Sequence, residues 1–278
     1  MAFDPLRANF GWQLSVLTDP PWPWPLLLAS MVVVFLAGVV RGFSGFGFSA
    51  LCVAALSLFL PPAKVVPPVL ILEIVASVSL LRRAWPEVGW GWMGWLAVGN
   101  ALCIPLGVAV LAWVSEMPVR LLIGALLLCA AVALRSGVRL VLRPSAAVGL
   151  LVGVVSGFFN GVAAIGGMAV AVLFSAAHLP PVQMRATMIV FLLFVDLYSL
   201  AWAAAFSFAG HSAAPLVGAQ TWQWAMWLLP ATLLGIWVGQ RSFAGVSPQA
   251  FRRQVLNLLA LIAALTVLRA LFGLWHTA

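Results

Sequence analysis

The chain has 278 residues, of which 64% are hydrophobic and only 7% charged, and its formal net charge is +8. Long uncharged stretches in such a composition exceed what the core of a soluble domain needs, and they indicate a polytopic membrane protein. The positive charge does not indicate a nucleic-acid-binding protein, because the arginines occur singly or in small groups between apolar segments, where they set membrane topology.

The first 25 residues precede the apolar stretches and are expected to form an extramembrane or interfacial segment. They lack a basic region followed directly by an apolar core, so we do not expect a cleavable signal peptide. Trp22 and Trp24 are placed as interfacial anchors for the helix that follows.

Eight apolar stretches follow, and the absence of strand-like alternation predicts helices rather than a membrane barrel. They cover residues 26–60, 65–81, 90–114, 119–134, 146–178, 186–209, 222–240 and 254–272. As one straight helix the first stretch would be about 52 Å long, against a hydrocarbon core of about 30 Å. It must therefore break, and the break is predicted at "RGFSGFGF" (41–48). The stretch 146–178 contains "NGVAAIGG" (160–167) at the equivalent point.

The two broken stretches belong to an internal repeat. Without gaps, residues 38–62 lie over residues 157–181, and eight of these 25 positions are identical, including three pairs of glycines and a shared "LPP". Further along, Arg120 in "WVSEMPVRLLIG" lies over Arg252 in "GVSPQAFRRQVL". We predict two transmembrane repeats, residues 26–145 and 146–278, an organisation typical of secondary transporters.

The distribution of positive charge favours inverted repeats. If each broken stretch crosses the membrane once, seven basic residues lie on one face and six on the other, which is no bias. If each broken stretch is a hairpin that enters and leaves on the same face, the numbers become nine and four, as the positive-inside rule requires. The predicted fold is therefore all-α, with a re-entrant glycine-broken helix and three transmembrane helices in each half. Both termini then lie outside the cytoplasm.

Each break can bind an anion. The second half-helix begins with unpaired backbone N–H groups, which attract negative charge together with the helix dipole. Arg41 and Asn160 occupy matching places before the two breaks, and Arg41 offers a charged planar fork suited to carboxylate, sulfite or sulfonate oxygens. The predicted substrate-binding residues are Arg41, Gly42, Ser44, Gly45, Gly47, Ser49, Asn160, Gly161, Gly166 and Gly167. Two alternatives stay open: the glycines only permit close helix packing, or Arg41 is a structural partner of Glu73.

Two acids lie inside apolar helices, Glu73 in "LILEIVAS" and Asp196 in "LFVDLYS". An acid in this position is a functional hypothesis by default, and we predict that both carry protons. In the repeat, Glu73 lies over Leu192 and Asp196 over Ser77, so the acids are one helical turn apart and could face one cavity. The alternative is a pair of structural acids bonded to buried hydroxyls or to arginine. Arg185 either sets topology or lines a vestibule.

The broken segments resemble those of the TauE/SafE sulfite exporter family. The resemblance is carried by "GFSGFGF" and "NGVAAIGG", each followed by a short apolar arm and "LPP", and by the closing segments that contain "GNALCIPLGVAVLAW" and "LLGIWVGQRSFAGVS". It extends over about residues 26–272. The family usually has a fuller GxGGG pattern in the first half, where Phe46 and Phe48 intrude here. The resemblance implies a bacterial inner-membrane transporter of sulfite, sulfonates, sulfoacetate or related organic anions, driven by the proton motive force.

The leading prediction is a secondary transporter, an exporter, whose partners are a small anionic substrate, protons and the lipid bilayer, with a homo-oligomer left open. The alternatives are a passive anion channel, a membrane-embedded subunit and a membrane enzyme. The enzyme is disfavoured, because the sequence has no DDxxD, HExxH or Ser/His/Asp arrangement. No catalytic residue, metal ion or cofactor is predicted, and without a CxxC or His/Cys cluster no disulfide is expected.

Overall fold

The structure is a computed structural model that describes residues 22–136, 145–177, 179–208, 215–242, 257 and 260–269. Within these ranges the chain is helical apart from short connections and contains no strand. The helices are α1 (Trp24–Ser44), α2 (Phe48–Leu56), α3 (Pro62–Ala84), α4 (Trp90–Trp113), α5 (Glu116–Ser136), α6 (Ala146–Ala163), α7 (Gly167–Ala176), α8 (Pro181–Phe208), α9 (Ala219–Ser242) and α10 (Ala260–Arg269). The predicted all-helical membrane fold is confirmed. In the described ranges six spans are long and apolar enough to cross a membrane: Trp24–Ser44, Pro62–Glu87, Trp90–Trp113, Glu116–Arg135, Ala146–Ala163 and Pro181–Phe208.

Both predicted breaks are present. Helix α1 ends at Ser44 and is capped by Gly45, which has a left-handed backbone (φ +81°) and donates its N–H to the carbonyl oxygen of Arg41 at 2.8 Å. Gly47, with φ +89°, then turns the chain into α2. Only glycine adopts these angles readily, so the first break depends on both residues. In the second half the left-handed residue is Ala164 (φ +56°) rather than a glycine, and α7 begins at Gly167.

The shared "LPP" marks a helix start in each half. Helix α3 begins at Pro62 and helix α8 at Pro181. Proline suits the first helical position, where its missing N–H has no intrahelical partner to lose and its fixed φ already matches the helix. The repeat therefore reproduces the same three-part unit, a long arm, a short arm and a proline-started helix.

The helix before each break, which is α1 in the first half and α6 in the second, is the first arm of that break and packs on a helix of the other half. Along α1 and α9, a Cβ on Gly42 would lie 2.3 Å from the carbonyl oxygen of Ile236, which shows how closely the two backbones approach. Near the start of the same pair, the rings of Trp24 and Trp227 are 6.2 Å apart, so α1 and α9 run in the same direction. Small residues allow such contacts between membrane helices.

Helices α4 and α6 repeat this contact. A Cβ on Gly99 would lie 2.4 Å from the Leu150 carbonyl oxygen, and one on Gly107 would lie 2.2 Å from that of Phe158, so these helices also run in parallel. A Cβ on Gly161 would meet the Ile104 carbonyl at 2.4 Å, as one on Gly42 meets Ile236. The glycines of residues 149–157 on α6 and of residues 235–239 on α9 therefore form packing surfaces.

Helices α3 and α8 connect the two glycine-packed pairs, because α3 also contacts α9 and α8 also contacts α4. The chain just beyond α3 lies beside the start of α8, where the Gly89 N–H donates to Thr187 Oγ1 at 2.8 Å. The two helices that carry Glu73 and Asp196 therefore pack against each other in opposite directions.

Large apolar side chains remain exposed along the outer helix faces. Leu28 and Leu102 are 58% and 63% exposed, respectively, and Leu151 is 67% exposed. Such a surface would drive a soluble monomer to associate, but it is the surface that a lipid-facing helix requires.

The inverted orientation of the two repeats stays a prediction, and reporter fusions can test it. Fusions after Arg143 and after Ala278, both outside the described residues, should give opposite signals, cytoplasmic after Arg143 and non-cytoplasmic after Ala278. A reporter that is active only in the cytoplasm and one that is active only outside it provide reciprocal controls. Matching signals at the two positions would rule out the inverted arrangement.

Candidate functional site

Arg41 lies in the last turn of α1, fully buried, at the first break. Its guanidinium donates to the Gly45 carbonyl and, at 2.6 Å, to Ser77 Oγ on α3. Its Nε lies 3.0 Å from Glu73 Oε1, an ion pair that is close without being aligned as a hydrogen bond. The predicted alternative partner of Arg41 is therefore its actual neighbour.

Glu73 is also fully buried, and its carboxylate reaches the start of α2. Oε2 accepts a hydrogen bond of 3.0 Å from the backbone N–H of Ser49, the second residue of that helix. A carboxylate at a helix N-terminus is stabilised both by the hydrogen bond and by the helix dipole. Glu73 thus connects the two anion-attracting features of the first break, the N-terminus of α2 and Arg41.

The second break has an uncharged amide, Asn160, where the first break has Arg41. Asn160 is fully buried and donates from Nδ2 to Asp196 Oδ1 at 3.1 Å and to Ser199 Oγ at 3.0 Å. Its Oδ1 accepts from the Gly166 N–H at 3.2 Å. Ser156 donates from the same arm towards the Gly166 carbonyl oxygen at 2.9 Å. An amide side chain and a hydroxyl group therefore hold the second break.

The two breaks match in the register that the sequence predicts. Arg41 contacts Ser77, 36 residues further on, and Asn160 contacts Asp196, also 36 residues further on. The repeat had placed Asp196 over Ser77, and the structure confirms that the two residues make equivalent contacts. Leu192 takes the place of Glu73 in the second half, so the charged pair occurs only in the first.

Asp196 is buried and has one oxygen, Oδ2, without a hydrogen-bond partner in the described part of the chain. It lies within electrostatic range of both Glu73 and Arg41. The two acids of the sequence prediction therefore belong to one electrostatic cluster, although they come from different halves. An unpaired carboxyl oxygen in a buried position can accept a proton or a hydrogen bond from a donor that the described residues do not supply.

The predicted site glycines have different surroundings. Gly45, Gly47 and Gly166 lie at the breaks, and a Cβ on Gly166 would approach the Ser156 carbonyl oxygen to 2.3 Å. Gly167 begins α7, and a Cβ there would lie 2.9 Å from a methyl group of Leu192.

Gly42 and Gly161 lie one turn earlier, in the contacts with α9 and α4 described above, so close packing accounts for both glycines.

The two predicted serines, Ser44 and Ser49, lie at the first break. Ser44 Oγ lies 2.8 Å from the carbonyl oxygens of Val40 and Phe46, and Ser49 contributes the N–H that binds Glu73. A substrate role for all ten residues stays a prediction.

Arg185 closes the first break from the other half, a contact that the sequence did not reveal. It lies in the first turns of α8 and donates to the Gly42 carbonyl oxygen at 2.7 Å, and a Cβ on Gly45 would lie 2.5 Å from its side chain. Arg41 and Arg83 lie close enough to repel its positive charge, so three cations are grouped at this end of the helices. The only sequence signal was a cation at a helix start, where the dipole does not favour it.

No group of three or more His, Cys, Asp or Glu side chains is positioned to hold a metal ion in the described ranges. The polar groups at the first break are instead the guanidinium groups of Arg41 and Arg185, two hydroxyls, one carboxylate and backbone N–H groups. The donors among them, which include two permanent cations, suit an oxyanion.

The family model described as "Sulfite exporter TauE/SafE" matches residues 30–266, which includes every residue of both breaks. Searches of curated proteins and of solved structures each gave no match.

Proposed function

The chain belongs to the TauE/SafE sulfite exporter family, and from this premise we propose that it is a proton-coupled exporter of a small anion. Family membership and the membrane-spanning helices support a membrane anion transporter. The proposed substrates are sulfite, sulfoacetate or another sulfonate or carboxylate, and the proposed location is the bacterial inner membrane, with a homo-oligomer as an open possibility.

One observation carries the proposal: a fully buried arginine lies at a break between two half-helices of a membrane protein. A permanent cation there is unfavourable unless an anion compensates it, so intramembrane arginines mark ion or substrate paths. Transporters bind anionic groups at the N-termini of half-helices for the same reason that helix N-termini bind phosphate.

The helix pairing supports alternating access through inverted repeats. Each first arm packs in parallel on a helix of the other half, α1 on α9 and α6 on α4, with glycines at corresponding points. Each pair therefore combines one helix from each repeat. Rocking of one pair against the other, around α3 and α8, would expose the breaks alternately to the two sides of the membrane.

The proton-coupling residues in the proposal are Glu73 and Asp196. Both are fully buried, and the Oδ2 atom of Asp196 has no hydrogen-bond partner among the described residues. A buried acid that can gain and lose a proton during the cycle links the movement of the anion to the proton gradient.

We expect a pH gradient across proteoliposomes to drive uptake of sulfite or sulfoacetate, with acceleration when the anion-containing side is the acidic one. Glu73→Gln and Asp196→Asn each keep the shape of the side chain and remove its titration. The substitution of the residue that carries the coupled proton should abolish the effect of the gradient on flux. The measurement is anion flux with and without the gradient. Glu87→Gln, at an exposed position after α3, is the matched control. Anion flux that is indifferent to the gradient in the wild type would instead support a passive channel.

A further inference from the structure

The anion site at the first break is already occupied, and its occupant is a side chain of the protein. Glu73 Oε2 accepts the Ser49 N–H at 3.0 Å, and Glu73 Oε1 lies 3.0 Å from Arg41 Nε. These are the donors that the proposed function assigns to the anionic group of the substrate. A substrate cannot use them at full strength while the carboxylate remains.

The second break needs no such occupant. There the amide oxygen of Asn160 accepts the Gly166 N–H at 3.2 Å, and Leu192 stands where the first half has Glu73. The Gly166 N–H is thus satisfied by a neutral side chain that does not titrate. Of the two breaks, the one with a titratable side chain on the N-terminus of its second half-helix is the one with the buried arginine.

Arg41 and Glu73 compensate each other at the first break, where each is 0% exposed. The other charged side chain there, Arg185, is engaged with the Gly42 carbonyl oxygen. Adding a substrate anion while Glu73 stays ionised would place two anions against Arg41, and burying an ion without a counterion of its own is unfavourable. Adding the same anion with a proton on Glu73 leaves the net charge of the site unchanged.

Other charged or titratable groups lie near Glu73, and a titratable one among them is an alternative site for proton uptake. On the elements around it, the charged or titratable groups within electrostatic reach are Arg41 of α1, Cys52 of α2 and Asp196 of α8. Among the further groups on packed elements, Arg185 of α8 is engaged at Gly42, Arg241 of α9 is stacked on Trp237, and Arg120 of α5 is engaged at Leu60 and Glu116. Asp196 is therefore the rival acid that the described part of the chain places near Glu73.

We propose that Glu73 is a resident competitor of the substrate: the anion binds to Arg41 and the N-terminus of α2 only when Glu73 has taken up a proton. This inference rests on the proposed function and assigns the coupling to one residue. The carboxylate gains the proton, releases both donors, and the substrate's oxygens replace its own. One anionic charge and one proton then occupy the site together.

Two consequences follow for transport. The anion and the proton move in the same direction, so net flux follows the sum of their two gradients, and export against an inward proton gradient requires a larger outward gradient of the anion. The site has the same net charge in both forms, one with Arg41 paired to Glu73 and the other with Arg41 paired to the substrate. Transport of a monoanion should therefore not respond to membrane potential.

The test uses three small sulfonates that remain monoanions over the pH range, methanesulfonate, ethanesulfonate and isethionate. Titration calorimetry of the purified full chain in buffers of different ionisation enthalpy counts the protons taken up on binding. For the wild type we expect about one proton per anion, and an affinity that falls about tenfold per pH unit once free Glu73 is ionised. Glu73→Gln should take up none and bind with an affinity independent of pH, whereas Asp196→Asn should still take up about one.

Glu73→Gln leaves Arg41 without its counterion and can fail to fold, so wild-type measurements complete the test. In proteoliposomes, a potential imposed with potassium and valinomycin should leave sulfonate flux unchanged while a pH gradient alters it. Binding by the wild type without proton uptake overturns the inference but leaves an anion transporter. Proton uptake that persists in Glu73→Gln, or disappears only in Asp196→Asn, overturns it as well. Failure of every sulfonate to bind the wild type at any pH overturns this inference together with the sulfonate class of the proposed function, and leaves sulfite and carboxylates as the remaining proposed substrates.

Discussion

Arg41→Ala should lower the free energy of unfolding by about 3–5 kcal/mol, because it leaves the Glu73 carboxylate buried without its cation. Both side chains are fully buried and only 3.0 Å apart, so water cannot replace the lost partner. Thermal or denaturant unfolding of the purified protein in detergent measures the loss. The exposed Arg82→Ala on α3 is the control, and its effect should stay within about 0.5 kcal/mol.

The double variant Arg41→Ala/Glu73→Ala separates the ion pair from other roles of Arg41. Removing both charges should recover much of the lost stability, since no uncompensated ion remains. Recovery should stop short of the wild type, because the Gly45 carbonyl and Ser77 each lose a donor. If the double variant is as unstable as the sum of the two single variants, the pair contributes no coupling, and Arg41 stabilises the fold only through its other contacts.

Gly107→Ala should destabilise the fold by about 3 kcal/mol, at the upper end for an overpacked site. A Cβ on Gly107 would lie 2.2 Å from the Phe158 carbonyl oxygen and 2.8 Å from the Val162 N atom, so backbone on the facing helix would have to move. Rotamer changes cannot relieve such a contact. The same unfolding measurement applies, together with the yield of folded protein.

Helix α4 provides its own control for this substitution. Gly94 is exposed, and a Cβ there would find no atom within 4 Å. Gly94→Ala should therefore be neutral or stabilising by up to about 1 kcal/mol, since alanine favours the helix over glycine. Equal effects of Gly94→Ala and Gly107→Ala would show that helix propensity, and not the contact between α4 and α6, determines the result.

The sequence was sufficient to predict the breaks, because the length of an apolar stretch and the positions of its glycines determine where a membrane helix has to be interrupted. A 35-residue apolar stretch cannot span the bilayer straight, and the chain turns at the predicted "RGFSGFGF". The repeat likewise predicted equivalence between Asp196 and Ser77, and both residues bond the side chain that precedes their break. The pairing of Arg41 with Glu73 was an open alternative, which buried charge alone made reasonable.

Other features could not be read from the sequence. Lipid chains are as apolar as leucine, so a hydrophobic pattern does not say which membrane helix packs on which, and the partnership of α1 with α9 was not predicted. The contact of Arg185 with Gly42 joins residues 143 positions apart and depends on that packing. The left-handed Ala164 was missed for a different reason, because glycine is the usual residue at such an angle and two glycines stood close by.

The exchange of packing partners between the halves has a consequence for biosynthesis. Helix α9 begins 195 residues after α1, at Ala219 against Trp24. At ordinary rates of translation the ribosome needs about 10–40 s to make that length of chain. During this interval the glycine face of α1 has no partner, although Glu73 is already present to neutralise Arg41. Defects in the glycines of α9 should consequently appear as degradation of newly made chains rather than as inactive mature protein.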